Sequence, residues 1–161
     1  MALAGRTLKA RYHRGLADEG VIMRIHGACH CGNIAFDLAW PGGVAVTPRE
    51  CACAFCRKHG AAWTGHPDAA VDVRVGDDAS VSRYRFGTRT ADFHVCAQCG
   101  AVPVCTSLVD GKTYAVVNVR LFEGDVALAE PAAVDFDGEE EGDRLARRAR
   151  NWISRVAVHD E

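Results

Sequence analysis

Eight cysteines fall into three short clusters and one single position. They read "CHC" at Cys29 and Cys31, "CACAFC" at Cys51, Cys53 and Cys56, "CAQC" at Cys96 and Cys99, with Cys105 alone. Thiols two or three residues apart can chelate one metal ion, because a turn of that length brings both sulfurs to one point. Disulfides of a small secreted protein are spread along loops instead, and a chain of 161 residues buries most of its apolar surface without such cross-links. The clusters therefore predict metal or thiol chemistry in a reducing compartment, and the protein is expected to be cytoplasmic.

Charge narrows the partners. The net charge is −2, with Lys and Arg spread through the chain, so no basic stripe marks a nucleic-acid partner and no polybasic run marks an anionic membrane. The first stretch, "MALAGRTLKARYHRGLADEGV", has no continuous apolar segment, and Asp18 and Glu19 argue against a transit peptide. Leu8, Tyr12 and Leu16 would line one face of a short helix there, weakened by Gly5, Gly15 and Gly20. Residues 1–22 are expected to be an N-terminal extension, and Met23 is a candidate alternative translation start.

From Met23 the pattern is that of strands. "NIAFDLAW" alternates with Ile34, Phe36, Leu38 and Trp40 on one face, and "AVDVRV" repeats the pattern before the turn "GDDA". "SVSRYRF", "DFHV", "AVPVCTS" and "TYAVVNVR" predict further short strands, the last pair joined through "DGK" as a hairpin. Near the end the period changes: Leu145, Ala149, Trp152, Ile153 and Val156 recur at helical spacing, behind an acidic run from Glu139 to Asp143. This predicts a mainly β domain over residues 23–138 and an amphipathic C-terminal helix over 139–161 packed on it. The arginines of "RLARRAR" are read as the solvated face of that helix.

Two metal sites follow from spacing. "CHCG" and "CAQCG" look like the halves of a closed tetrathiolate zinc site, Cys29, Cys31, Cys96 and Cys99, each ending in a glycine whose positive φ lets backbone N–H groups turn toward sulfur. The remaining Cys51, Cys53 and Cys56 would hold a second zinc with its fourth position open, the layout of a catalytic site. Thiolate ligands make such a zinc a weak activator of water and suit it to an incoming thiol. Other readings stay open: His59, His66 or His94 could complete a purely structural site, or the cysteines could form a metal-free redox pair. Arg57 is a candidate partner for a substrate carboxylate, with a solvated Arg57 and Lys58 as the competing reading. Trp63 and Phe55 are assigned to core packing and Cys105 to a buried apolar position.

"GACHCGNIAFDL", "CACAFCRKHGA" and "YRFGTRTADFHVCAQCGAVPV", in this order, resemble the glutathione-dependent formaldehyde-activating enzyme family, which includes centromere protein V. The resemblance runs from about Gly27 to Asn118 and extends through "VNVRLFEGDV" and "VDFDG". It implies a β-tent fold like that of Rab-binding chaperones, built of several small antiparallel sheets stapled by zinc. It also implies a structural zinc at Cys29, Cys31, Cys96 and Cys99 and a catalytic one at Cys51, Cys53 and Cys56. The implied activity joins glutathione, or a related small thiol, to formaldehyde. That is a carbon–sulfur lyase of the S-(hydroxymethyl)glutathione synthase type when written in reverse. The alternative is a non-catalytic zinc-binding module for protein–protein interaction. Ala52 and Ala54 stand where many members have histidine and serine; neither is a ligand position, and both bear on substrate identity.

Overall fold

A computed structural model describes residues 20–160, so the expected helix at Leu8, Tyr12 and Leu16 lies outside the described residues. The chain runs β1 (Ile22–Ala28), β2 (Ile34–Pro41), β3 (Arg49–Cys51), α1 (Ala54–His59), β4 (Trp63–Thr64) and β5 (Ala70–Val75). It continues through β6 (Val81–Tyr84), β7 (Asp92–Cys96), β8 (Val104–Val109), β9 (Lys112–Asn118), β10 (Ala132–Val134), α2 (Glu141–Asn151) and β11 (Arg155–Asp160). Strands order as β1-β2-β5-β11 in one sheet and β10-β3-β4-β9-β8-β7-β6 in the other. The expectation of antiparallel pairing holds for most neighbours, but β10 runs parallel to β3 and β11 parallel to β5.

The alternation read in β2 is realised in full, with Ile34, Phe36, Leu38 and Trp40 all buried. They meet Val71 and Val73 of β5 and Val104, Ala115 and Val117 of the larger sheet in one apolar cluster, so this core lies between the two sheets. Pleating sends the intervening residues of the larger sheet the other way. Cys105 of β8 and Val116 of β9 join Cys56, Trp63 and Trp152 in a second cluster on its far face. Covered on both sides, β8 is buried at Val104, Cys105, Thr106 and Ser107 in succession. The β8–β9 hairpin closes through Asp110 and Gly111, at φ 49° and 76°, the paired left-handed conformation that "DGK" predicts.

The C-terminal helix is shorter than expected. It ends at Asn151, and residues 155–160 form a strand where a helix over 139–161 was expected. The reason is a competing backbone partner: Ile153 N–H donates to Ala115 O at 2.9 Å and Ala115 N–H to Ile153 O at 3.0 Å, which pulls the chain out of the helix. Val156 and Val158 then suit an extended strand along β5, with Val156 opposite Val71 and Val158 opposite Val73.

Candidate metal centres

The first cluster is built from two turns that close on each other. In one, Gly32 N–H donates to Cys29 O at 2.9 Å and Cys29 N–H to Ile34 O at 2.8 Å. In the other, Gly100 N–H donates to Cys96 O at 2.8 Å and Cys96 N–H to Ala101 O at 2.9 Å. Gly32 and Gly100 sit at φ 82° and 77°, a conformation that costs a residue with a Cβ. These turns aim N–H groups at sulfur: Ile34 N–H donates to Cys29 Sγ at 3.3 Å.

Cys29, Cys31, Cys96 and Cys99 place their sulfurs within 4.8 Å of one another. Cys31 Sγ lies 3.6 Å from Cys29 Sγ and 3.4 Å from Cys96 Sγ. A tetrahedron with metal–sulfur bonds of about 2.3 Å has sulfurs about 3.8 Å apart, so the set fits one metal ion. Burial pushes the Cys29 thiol up and the Cys96 thiol up to about 12. Burial acts upward on Cys99 too, but the N–H groups of Ala101 and Cys31 outweigh it and hold that thiol down to about 6. A metal ion taken up here must therefore displace protons from buried sulfurs, which couples binding to pH.

The second cluster is one loop and one short helix. Cys51 ends β3, Cys53 caps α1 with its sulfur accepting from Cys56 N–H at 3.4 Å, and Cys56 lies inside α1, which stops at Gly60. The three sulfurs lie within 4.8 Å of one another. No histidine, His59, His66 and His94 included, lies within that distance of all three among the described residues. Trp63 Nε1–H donates to Cys56 Sγ at 3.2 Å. The hydrogen bond from the Cys56 thiol holds Cys51 down to about 5, while the same partner and burial push Cys56 up.

This cluster opens into a cavity of about 980 Å³, on the face of the larger sheet turned away from the first cluster. Trp63, Phe86 and Phe93 form an apolar wall, and Arg57 lies at its exposed edge. Trp63 therefore has two roles where core packing alone was expected: it is buried, and its indole N–H contacts a cluster sulfur. Phe55 keeps the packing role, stacked among His59, Tyr84, Phe86 and Phe93. Cys105 is buried as expected, and it also lines the cavity floor.

Two further groups line the cavity that sequence reasoning did not place there. Asp135 directly follows Val134, which pairs with Cys51 across β10 and β3, and the Asp135 charge acts on the Cys51 thiol. The arginines of α2 form the opposite wall: Arg144, Arg147 and Arg148 all reach the cavity, and Arg148 is only 6% exposed. The reading of these arginines as a solvated face is corrected for Arg148. Its position held the signal, since it is three residues after Leu145 and four before Trp152, on the stripe that faces the protein.

Two comparisons with known proteins bear on the family of this chain. A crystal structure of a Rhodobacter sphaeroides protein is 30% identical over 66% of this chain and 99% of that one, with a TM-score of 0.48. The sequence model of the glutathione-dependent formaldehyde-activating enzymes matches residues 24–136, a span holding every cysteine of both clusters. This chain belongs to the glutathione-dependent formaldehyde-activating enzyme family.

Proposed function

We propose that this chain joins a small thiol to an aldehyde, with glutathione and formaldehyde as the reference pair, and catalyses the reverse cleavage as a carbon–sulfur lyase. The observation that carries this reading is the contrast between a four-cysteine set closed on itself and a three-cysteine set at the wall of a cavity. In this reading the first set holds a structural zinc that staples a β-tent fold, and Cys51, Cys53 and Cys56 hold a catalytic zinc. When bound there, zinc supplies a soft cationic position that favours the deprotonated form of a thiol brought to it.

The chain's own groups do the rest. Trp63 N–H draws charge from the Cys56 sulfur and fixes its direction. Trp63, Phe86 and Phe93 exclude water, so that the aldehyde meets sulfur rather than hydrating. The thiol sulfur forms a bond to the carbonyl carbon, the carbon–oxygen π pair moves to oxygen, and the proton lost by the thiol ends on that oxygen. In this reading Asp135, which lines the cavity next to Val134 and whose charge acts on the Cys51 thiol, carries that proton. Arg57 at the cavity edge adds a cation that attracts an anionic thiol. No helix among the described residues is long and apolar enough to cross a membrane. The free thiols suit a reducing cytoplasm.

The test is cobalt substitution. Cobalt at the three-cysteine cluster should show a changed sulfur-to-metal charge-transfer band when glutathione or 2-mercaptoethanol is added. An unchanged spectrum at saturating thiol would sink the reading.

A further inference from the structure

The inner wall of the cavity carries a cation that forms no ion pair among the described residues. Arg148 reaches in from α2, and its Nη1 makes all of its hydrogen bonds: to Thr90 O at 3.0 Å, Thr90 Oγ1 at 2.8 Å and Ser107 Oγ at 3.0 Å. Its Nε is buried with no partner. The Nε and Nη2 edge is the side of a guanidinium that takes a carboxylate in two parallel bonds, and here that edge is unused.

The neighbouring arginines differ. Arg147 is neutralised by Glu139 through two bonds of 2.9 Å and lies over the Phe136 ring; Arg144 gives its Nη2 to Phe136 O, and its Nε, also without a hydrogen bond, has Glu139 Oε2 3.8 Å away as a counter-charge. Arg148 forms no ion pair among the described residues, where a buried unpaired charge and an unsatisfied buried donor each cost stability. Burial lowers its pKa to about 10, so it remains a cation at neutral pH. The site is continuous with the cysteine cluster: Arg148, Cys105, Cys51 and Cys53 line the same cavity, and the Cys105 thiol feels the charges of the other three.

We infer that Arg148, on α2 and outside the span matched by the family, anchors a carboxylate subsite in this cavity and selects for a carboxylate-bearing ligand over its neutral counterpart. This deepens the proposed function and rests on it for the identity of the reacting group. The geometry assigns carboxylate recognition to a buried, oriented guanidinium and leaves exposed Arg57 a long-range role, because exposed cations are screened within about 10 Å at ordinary salt. Thr90 and Ser107 are positioning residues: by engaging Nη1 they fix the guanidinium at the cavity wall and leave its Nε and Nη2 edge without a protein partner among the described residues.

The experiment uses S-methylglutathione, which has both carboxylates and no free thiol, so that binding does not depend on sulfur reaching the metal. Fluorescence of Trp63 and Trp152, both lining the cavity, reports binding to the full-length metal-loaded protein. S-methylglutathione should bind at least tenfold more tightly than its diethyl ester. Arg148→Gln should abolish that preference, and Arg57→Ala should retain it. Equal binding of acid and ester, no binding of either, or a preference that survives in Arg148→Gln would overturn the inference. Should Arg148→Gln fail to fold, the Arg148 Nε–H nitrogen resonance in the unmodified protein decides: it should shift with the acid and stay unmoved with the ester. A positive result here with an unchanged cobalt spectrum would retain the anion subsite and refute thiol–metal contact.

Discussion

The two cysteine clusters use the same ligand atom and lie on opposite sides of one sheet, yet their surroundings differ throughout. Cys29, Cys31, Cys96 and Cys99 come from two turns 65 or more residues apart in sequence, each closed by its own backbone bonds at the edge of the core between the sheets. Cys51, Cys53 and Cys56 come from six consecutive positions and face a cavity lined by arginines, carboxylates and aromatic rings. Joining distant segments makes metal binding part of folding, because the unfolded chain holds no such site. Chelation by one local segment would contribute less to folding and, in the proposed function, leaves a coordination position for chemistry.

That difference is most exposed by paired serine substitutions. Cys99→Ser should cost on the order of 5 kcal/mol, enough to unfold or aggregate a domain of ordinary stability. Cys53→Ser should leave a folded chain holding one metal equivalent, since serine also caps a helix and can accept from Cys56 N–H. Thermal unfolding with metal analysis reads both, and equal loss of folding would erase the distinction. Next in size is Asp135→Asn, expected to lower turnover about 100-fold with both metals retained, the scale of losing a positioned proton carrier. Turnover unchanged would remove Asp135 from the proton path.

Trp63→Phe keeps the ring and deletes the N–H to Cys56. It should weaken metal affinity at the open cluster about tenfold while leaving the closed cluster untouched, measured by chelator competition. The smallest effect belongs to the closed side, where His94 lies on β7 with Nε2 2.8 Å from Thr106 Oγ1 and Nδ1 unpartnered. Burial, then the Arg83 charge, lower its pKa in the folded state. Unfolded histidine takes a proton near pH 6.5, so the stabilisation is full above that pH and lost as pH falls toward the folded value. Between pH 6.5 and 5.5, at constant metal content, His94→Gln should flatten the stability curve by under about 1 kcal/mol. An identical slope in both proteins would exclude His94 as its source.

What could be read from the chain alone was local. Chelating pairs, the glycines after Cys31 and Cys99, the alternation of Ile34, Phe36, Leu38 and Trp40, and the Asp110–Gly111 turn each depend on a few adjacent residues, whose conformations are set by short-range sterics. The grouping of four cysteines against three was legible because "CHCG" and "CAQCG" share a chelating pair closed by glycine, which "CACAFC" lacks. Tertiary structure decided the rest. The apolar spacing of Trp152, Ile153 and Val156 fits a helix, and only the backbone of Ala115, distant in sequence, takes Ile153 out of it. The arginines of α2 carry the same charge along the chain, and docking on Thr90 and Ser107 alone separates buried Arg148 from exposed Arg150. Asp135 meets Cys51 because β10 pairs in parallel with β3 across some eighty intervening residues. Pairing of that range is set by global packing, which no short window of sequence contains.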